Sequence, residues 1–255
     1  MQTPADLSLA SLASRIAELA YGGPQDAPMN QAEAGDIIVV APSFQIRGTT
    51  MVLTNDQVEA VRLAVSNEPI VAIQAAFGTG KTMVGAIIAA LIASRPPSIV
   101  VVTATNNAAV AQFTETLLSL DDFAHLEVLR YLSDIAASDN LYPTEVDLNV
   151  VLKSLGDRYE AQLDEAEKEF CREFKEKREL LEQYMEDPSR FLYMSEEDQH
   201  KYEIAERSLS QSIEQMVKLM LRVRRPAILC LTTSSLLNTT DPSNGLFRRH
   251  SRLAQ

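Results

Sequence analysis

Apolar positions along the chain change rhythm several times, and each change marks an element. Leu9, Leu12, Ile16 and Leu19 recur at helical spacing before Gly22-Gly23-Pro24, which predicts a helix over 5–20. Residues 22–35, rich in Gly, Pro, Gln and Ala, read as a linker. Three short β-prone runs follow at 37–40, 44–46 and 51–53. Pro42-Ser43 and Gly48-Thr49 punctuate them, predicting a small hairpin or strand pair. From residue 54 continuous apolar runs take over: Pro69-Ile70-Val71-Ala72-Ile73, Ile99-Val100-Val101-Val102, a weaker Leu126-Glu127-Val128-Leu129, and Ala227-Ile228-Leu229-Cys230-Leu231. Runs without polar alternation suit strands covered on both faces, as in a parallel sheet. Between them, 83–93 is apolar all round, as a buried helix is, and Val110, Phe113, Leu117 and Leu120 form one helical stripe. Strand–helix–strand alternation predicts an α/β fold with right-handed crossovers.

One long segment breaks that alternation. Over 145–223, Leu152, Leu155, Tyr159, Leu163, Ala166, Phe170 and Phe174 recur every three or four residues. After Asp187-Pro188 a second stripe runs through Tyr202, Ala205, Leu209, Ile213, Met216, Met220 and Val223. Two amphipathic helices folded back at the proline are expected. Residues 157–207 hold 17 acidic and 9 basic side chains, so much of the acidity lies here. A solvated outer face accounts for such charges; a partner-binding surface is the alternative.

Composition narrows the classes. With 255 residues, 46% of them hydrophobic, the chain can bury a sizeable core without disulfide or metal staples. Cys171 and Cys230 form neither a disulfide framework nor a zinc pattern, which points to a reducing, intracellular setting, cytoplasm or nucleus. No apolar run reaches the length of a membrane span, and the N-terminus lacks a signal-peptide pattern. A net charge of −12 argues against broad non-specific binding of nucleic acid, while leaving room for a local basic cleft. Lys218, Arg222, Arg224 and Arg225, with Arg248, Arg249 and Arg252, are candidates for one. Lys218 and Arg222 equally suit a helix C-terminus. His125, His200 and His250 have no ligand spacing.

The sharpest chemical signal is Ala75-Ala76-Phe77-Gly78-Thr79-Gly80-Lys81-Thr82, between the apolar run 70–74 and the helix pattern that follows. Strand, small-residue loop and helix are the context of a phosphate-binding P-loop. Backbone N–H groups curl around phosphate oxygens, and the helix N-terminus adds partial positive charge. Lys81 reaches the β- and γ-phosphates, and the Thr82 hydroxyl is placed for Mg²⁺. The pattern G-x-x-x-x-G-K-[ST] has Ala75 in place of its first glycine, which is tolerable only at negative φ. The plain alternative is a helix-capping GTGK turn.

Around this loop the sequence resembles superfamily 1 helicases, in the branch of the RNA-surveillance helicase of nonsense-mediated decay. Leu53-Thr54-Asn55-Asp56-Gln57-Val58-Glu59-Ala60-Val61 looks like that family's Q motif. The resemblance implies that Gln57 reads the adenine edge, since a carboxamide offers donor and acceptor together. Thr103-Ala104-Thr105-Asn106-Asn107-Ala108-Ala109-Val110 looks like motif Ia, although Thr105 replaces a proline and Ala111 an acidic residue. Thr105, Asn106 and Asn107 would then touch the nucleic-acid backbone; capping of the next helix by Asn106 or Asn107 is equally good physics. Ile228-Leu229-Cys230-Leu231-Thr232-Thr233 resembles the strand of motif Ic, with Thr232 matching its threonine. The likeness covers about 53–235 and implies a RecA-like parallel sheet carrying a helical-hairpin insertion.

On that reading, 1–52 is an N-terminal helix and short β segment, and 53–144 with 224–255 forms a partial RecA-like P-loop domain. Residues 145–223 are the inserted hairpin. The resemblance implies ATP and Mg²⁺ as cofactors, Gln57, Gly78, Thr79, Gly80, Lys81 and Thr82 as their contacts, and RNA or DNA as partner. The D-E-x-x of motif II does not follow Thr233; the sole later acid, Asp241, sits in a turn sequence. The chain is therefore expected to be the front of a helicase, bound to nucleotide but unable to unwind by itself. Two other classes are a non-catalytic interaction protein that uses the acidic hairpin, and an unrelated P-loop kinase.

Overall fold

The computed structural model describes residues 41–240, apart from 67, 69, 96–98, 134–135, 138–139, 141 and 187–194. The helix expected over 5–20, the linker 22–35, the run 37–40, the Pro188 turn and the arginines 248, 249 and 252 lie outside the described residues. The chain forms two compact units, whose described parts are 41–98 with 115–125, and 99–114 with 126–240.

The first unit opens with the expected hairpin. Strands β1 (Ser43–Ile46) and β2 (Thr49–Val52) pair antiparallel. Arg47 and Gly48, with φ of 47° and 74°, make the two-residue turn whose twist matches the strands. Asp121 and Asp122, in a short 3₁₀ turn at Asp121–Phe123, accept the backbone N–H groups of Gly48 (2.6 Å) and Gln45 (2.8 Å). The Phe44 ring stacks on Phe123 at 5.9 Å. Helix α1 (Asn55–Ala64) starts at a capping box between Thr54 and Gln57. Helix α2 (Lys81–Ala93) buries Ala86, Ile87 and Ala90 completely, as its all-round apolar pattern requires.

Between these helices the structure departs from expectation. Described residues 70–76 belong to no strand, and Ile70 and Ile73 are both exposed. An apolar run specifies a preference for burial but not a ladder partner. Whether it becomes a strand is decided by what lies beside it.

The second unit carries the α/β sheet. Strands β3 (Val100–Ala104), β4 (Val128–Arg130) and β5 (Ile228–Thr232) are all parallel, in the order β3-β5-β4. Central β5 buries Ile228, Cys230 and Leu231 completely, as expected of a strand paired on both sides. Helix α3 (Asn107–Leu118) follows β3 and buries Val110 and Thr114; the division between the units falls within it, at Thr114 and Glu115.

Between β4 and β5 come two short helices, α4 (Leu148–Lys153) and α5 (Leu155–Arg158), then the long α6 (Glu165–Glu186) and α7 (Glu196–Val223). Arg222, near the end of α7, meets Glu167 in the first turn of α6 at 2.6 Å, so the long helices run antiparallel. The continuous first helix expected from Leu152 to Phe174 is broken at Ser154, Tyr159 and Leu163. Its restart is written locally: the Asp164 carboxylate accepts Glu167 N–H at 2.8 Å and the Glu167 carboxylate accepts Asp164 N–H at 3.1 Å. This reciprocal cap outcompetes the apolar period. Leu148, Val151, Leu152 and Leu155 pack with Phe174, Leu209, Met216 and Met220 into one buried cluster.

Arg130, at the end of β4, is completely buried. Its Nε and Nη2 donate to the two Asp147 oxygens, both at 2.6 Å, and Nη2 also donates to Tyr142 O at 2.8 Å. Asp147 additionally accepts from Thr144 Oγ1 (2.5 Å), Thr144 N (3.1 Å) and Asn140 Nδ2 (3.2 Å). The thiol of Cys230, beside Arg130 in the β4–β5 register, is pushed up to about 11 by burial.

Candidate functional site

The loop 75–80 leads into α2 through two left-handed glycines, Gly78 (φ 78°) and Gly80 (φ 81°). Only glycine takes this conformation without strain, and alternating it with ordinary residues turns successive N–H groups toward a common centre. Ala75 is not among the described residues with positive φ, so alanine is unstrained where the P-loop pattern has its first glycine. Gly80 is the N-cap of α2 and offers no side chain; the first turn of α2 contains no acid. The first-turn N–H groups are therefore open to an anion, with no carboxylate of the first turn competing for them.

Lys81 folds over this loop. Its Nζ donates to Ala76 O at 2.5 Å and Ala75 O at 3.2 Å and lies 5.0 Å from the centre of the fully exposed Phe77 ring. An arriving phosphate would exchange two carbonyl contacts for a full negative charge. Thr79 Oγ1 donates to Ala76 O at 2.8 Å and closes the turn. Thr82 is half-buried in the first turn of α2.

Gln57 reaches the loop from α1. Its Oε1 accepts Thr54 N–H at 3.0 Å, and its Nε2 donates to Thr79 O at 3.0 Å. Gln57, Gly78, Thr79, Gly80 and Lys81 line one cleft of about 750 Å³, with Thr54, Asp56, Ile73, Gln74 and Ala75 among its other walls. That is the size of a small-molecule site. The sequence assigns Asp56 no role beyond its place in the Q-like stretch. This residue is the cleft's one carboxylate among the described residues, and no arginine lines the wall.

These residues fit a nucleotide. The glycine turns leave the backbone bare: a Cβ placed on Gly78 would meet nothing within 4 Å. The described residues contain no group of three or more His, Cys, Asp or Glu able to hold a metal. A Mg²⁺ held by one hydroxyl and by substrate phosphates needs no such group, because this ion keeps most of its water and takes few protein ligands.

Thr105, Asn106, Asn107 and Thr232, which the helicase resemblance assigns to nucleic acid, lie in the second unit at the carboxyl end of the sheet. Ala104 pairs with Thr232 there, and the Thr233 hydroxyl donates to Ala104 O at 3.4 Å. Thr105, Asn106 and Asn107 are exposed. Asn106 Oδ1 accepts Ala109 N–H at 2.8 Å and caps α3. Thr232 is only 8% exposed, and its hydroxyl is engaged with Ser235 Oγ (2.9 Å) and Ser235 N (3.2 Å). Its neighbour Thr233 is the exposed one.

Among the described residues no helix is long and apolar enough to cross a membrane. No curated protein matches the chain. A family model described as an AAA domain matches residues 52–243, from the end of the hairpin past the last described helix. The chain thus belongs to this AAA domain family, in which its parallel α/β sheet and phosphate loop have a helicase-like, nucleotide-binding character.

Proposed function

We propose that the chain binds Mg·ATP through Gln57 and Gly78–Thr82, as the nucleotide-holding side of a superfamily 1 RNA or DNA helicase of the nonsense-mediated-decay branch. The observation carrying this is the loop geometry: two positive-φ glycines, an uncapped helix N-terminus and Lys81 converge on one cleft that Gln57 also lines. Phosphates sit in the glycine turn, Lys81 exchanges its carbonyl partners for the β- and γ-phosphates, and Thr82 supplies one oxygen to Mg²⁺. The bound ion supplies charge neutralisation on the phosphates. Nucleic acid follows the exposed Thr105, Asn106, Asn107 and Thr233, whose hydroxyl, amide and N–H donors suit backbone phosphates, with Thr232 at the end of β5 holding the turn beneath them through its bonds to Ser235.

Hydrolysis needs more than this cleft provides. An arginine finger contributes about 10³–10⁵ in rate, and a general base about 10²–10⁴. Asp56 is the sole carboxylate among the described lining residues, and no arginine is present. Residues 1–255 assayed alone are therefore proposed to bind ATP, to hydrolyse it near background and not to unwind a duplex. Titration of a fluorescent ATP analogue into parent and Lys81→Ala protein tests the reading. The parent should saturate and the variant should not. Equal affinity in the two would remove Lys81 from the site, and turnover near one per second would show a missing base recruited from elsewhere.

A further inference from the structure

We infer that Gln57 is a positioning residue for the phosphate loop and so contributes to phosphate affinity even when no base is bound. This rests on the phosphate-loop reading above and adds to the base contact that the helicase resemblance implies. The amide orientation is fixed from both ends. Oε1 accepts Thr54 N–H at 3.0 Å while Nε2 donates to Thr79 O at 3.0 Å. A flipped amide would set two donors face to face at Thr54 and two acceptors at Thr79, so only one orientation satisfies both partners. In a planar trans peptide the carbonyl and the following N–H point in opposite directions. Holding the Thr79 carbonyl against Gln57 therefore sends the Gly80 N–H away from α1. That N–H belongs to the donors a backbone phosphate nest draws on.

The neighbouring geometry agrees. Gly80 has φ 81°, and a Cβ built on it would stand 3.1 Å from Gln57 Nε2. The amide thus packs against the bare Cα of the residue whose N–H it orients. One Nε2 proton and one Oε1 lone pair remain by count, enough for a base edge at the same time. Phosphate binding and base reading then share one side chain. A base-free triphosphate separates the two roles.

The test is calorimetric titration of Mg²⁺-tripolyphosphate and Mg·ATP into the full chain, its Gln57→Met variant and an Arg62→Gly control. Methionine keeps length and volume without charge or any donor for Thr79 O, and its thioether is only a weak acceptor. Arg62→Gly loosens the exposed side of α1 without touching the carboxamide. Gln57→Met should weaken tripolyphosphate about three- to tenfold, as expected for one lost hydrogen bond, and ATP at least as much. Arg62→Gly should bind tripolyphosphate within about twofold of the parent. Unchanged tripolyphosphate affinity in Gln57→Met, with only ATP weakened, would overturn the inference and leave a base contact alone. So would equal weakening in Arg62→Gly, which would assign the effect to helix stability. If the parent bound neither ligand, the phosphate-loop reading would itself fall, and this inference with it.

Discussion

Gly80 carries two constraints at once, one of backbone and one of space. Its φ of 81° lies where an L side chain costs about 1–2 kcal/mol, and an added Cβ would press on Gln57 Nε2 at 3.1 Å. Gly78 has a similar φ but open space around it. Gly80→Ala is therefore expected to lower unfolding stability by roughly 1–2 kcal/mol in urea titration, and to weaken nucleotide binding more than Gly78→Ala does. A Gly80→Ala protein as stable as the parent would deny the strained geometry. At this scale the sequence was informative where a motif dictates backbone: Gln57, Gly78, Thr79, Gly80 and Lys81 line one cleft, whereas Thr82 is not among its lining residues. It was less so at the end of β5. There the match to a family threonine selects Thr232, which is nearly buried and occupied in capping α8 (Thr233–Thr240), while Thr233 is exposed.

Among elements, β4 shows how a local pattern can hide its principal interaction. Its apolar run ends in Arg130, whose guanidinium is fully buried against Asp147, 17 positions along the chain. No periodicity signals such a pair. The short helices α4 and α5 and the restart at Asp164 were hidden for a different reason. The apolar period runs through 152–174 unbroken, and the reciprocal cap of Asp164 and Glu167 decides where α6 begins. The buried pair predicts a large asymmetry. Asp147→Ala leaves a buried charge without its partner and should cost about 3–5 kcal/mol. Glu182→Ala removes the half-exposed partner of Lys153 and should cost about 1 kcal/mol or less. Urea unfolding of the two variants measures both. Equal small losses would mean that Arg130 finds other partners.

Across the molecule, the class of fold was legible because the alternation of apolar runs with helical stripes is a local pattern, and β3, β4, β5, α2 and α3 all follow it. The strand order was not, because residues near 128 pair with residues near 228 and no local feature encodes that register. For the same reason the run 70–74 forms no strand although its composition is that of one: pairing is a property of neighbours. The cleft around Lys81 belongs wholly to the first unit, and the exposed donors around Ala104 and Thr233 wholly to the second. The central claim, that phosphate binds where the glycine turns meet the N-terminus of α2, is met most directly by hydrogen exchange with and without Mg·ATP. Peptides covering 54–60 and 75–84 should gain protection in the parent and none in Lys81→Ala. Protection elsewhere with no change over 75–84, or equal protection in both proteins, would contradict the account.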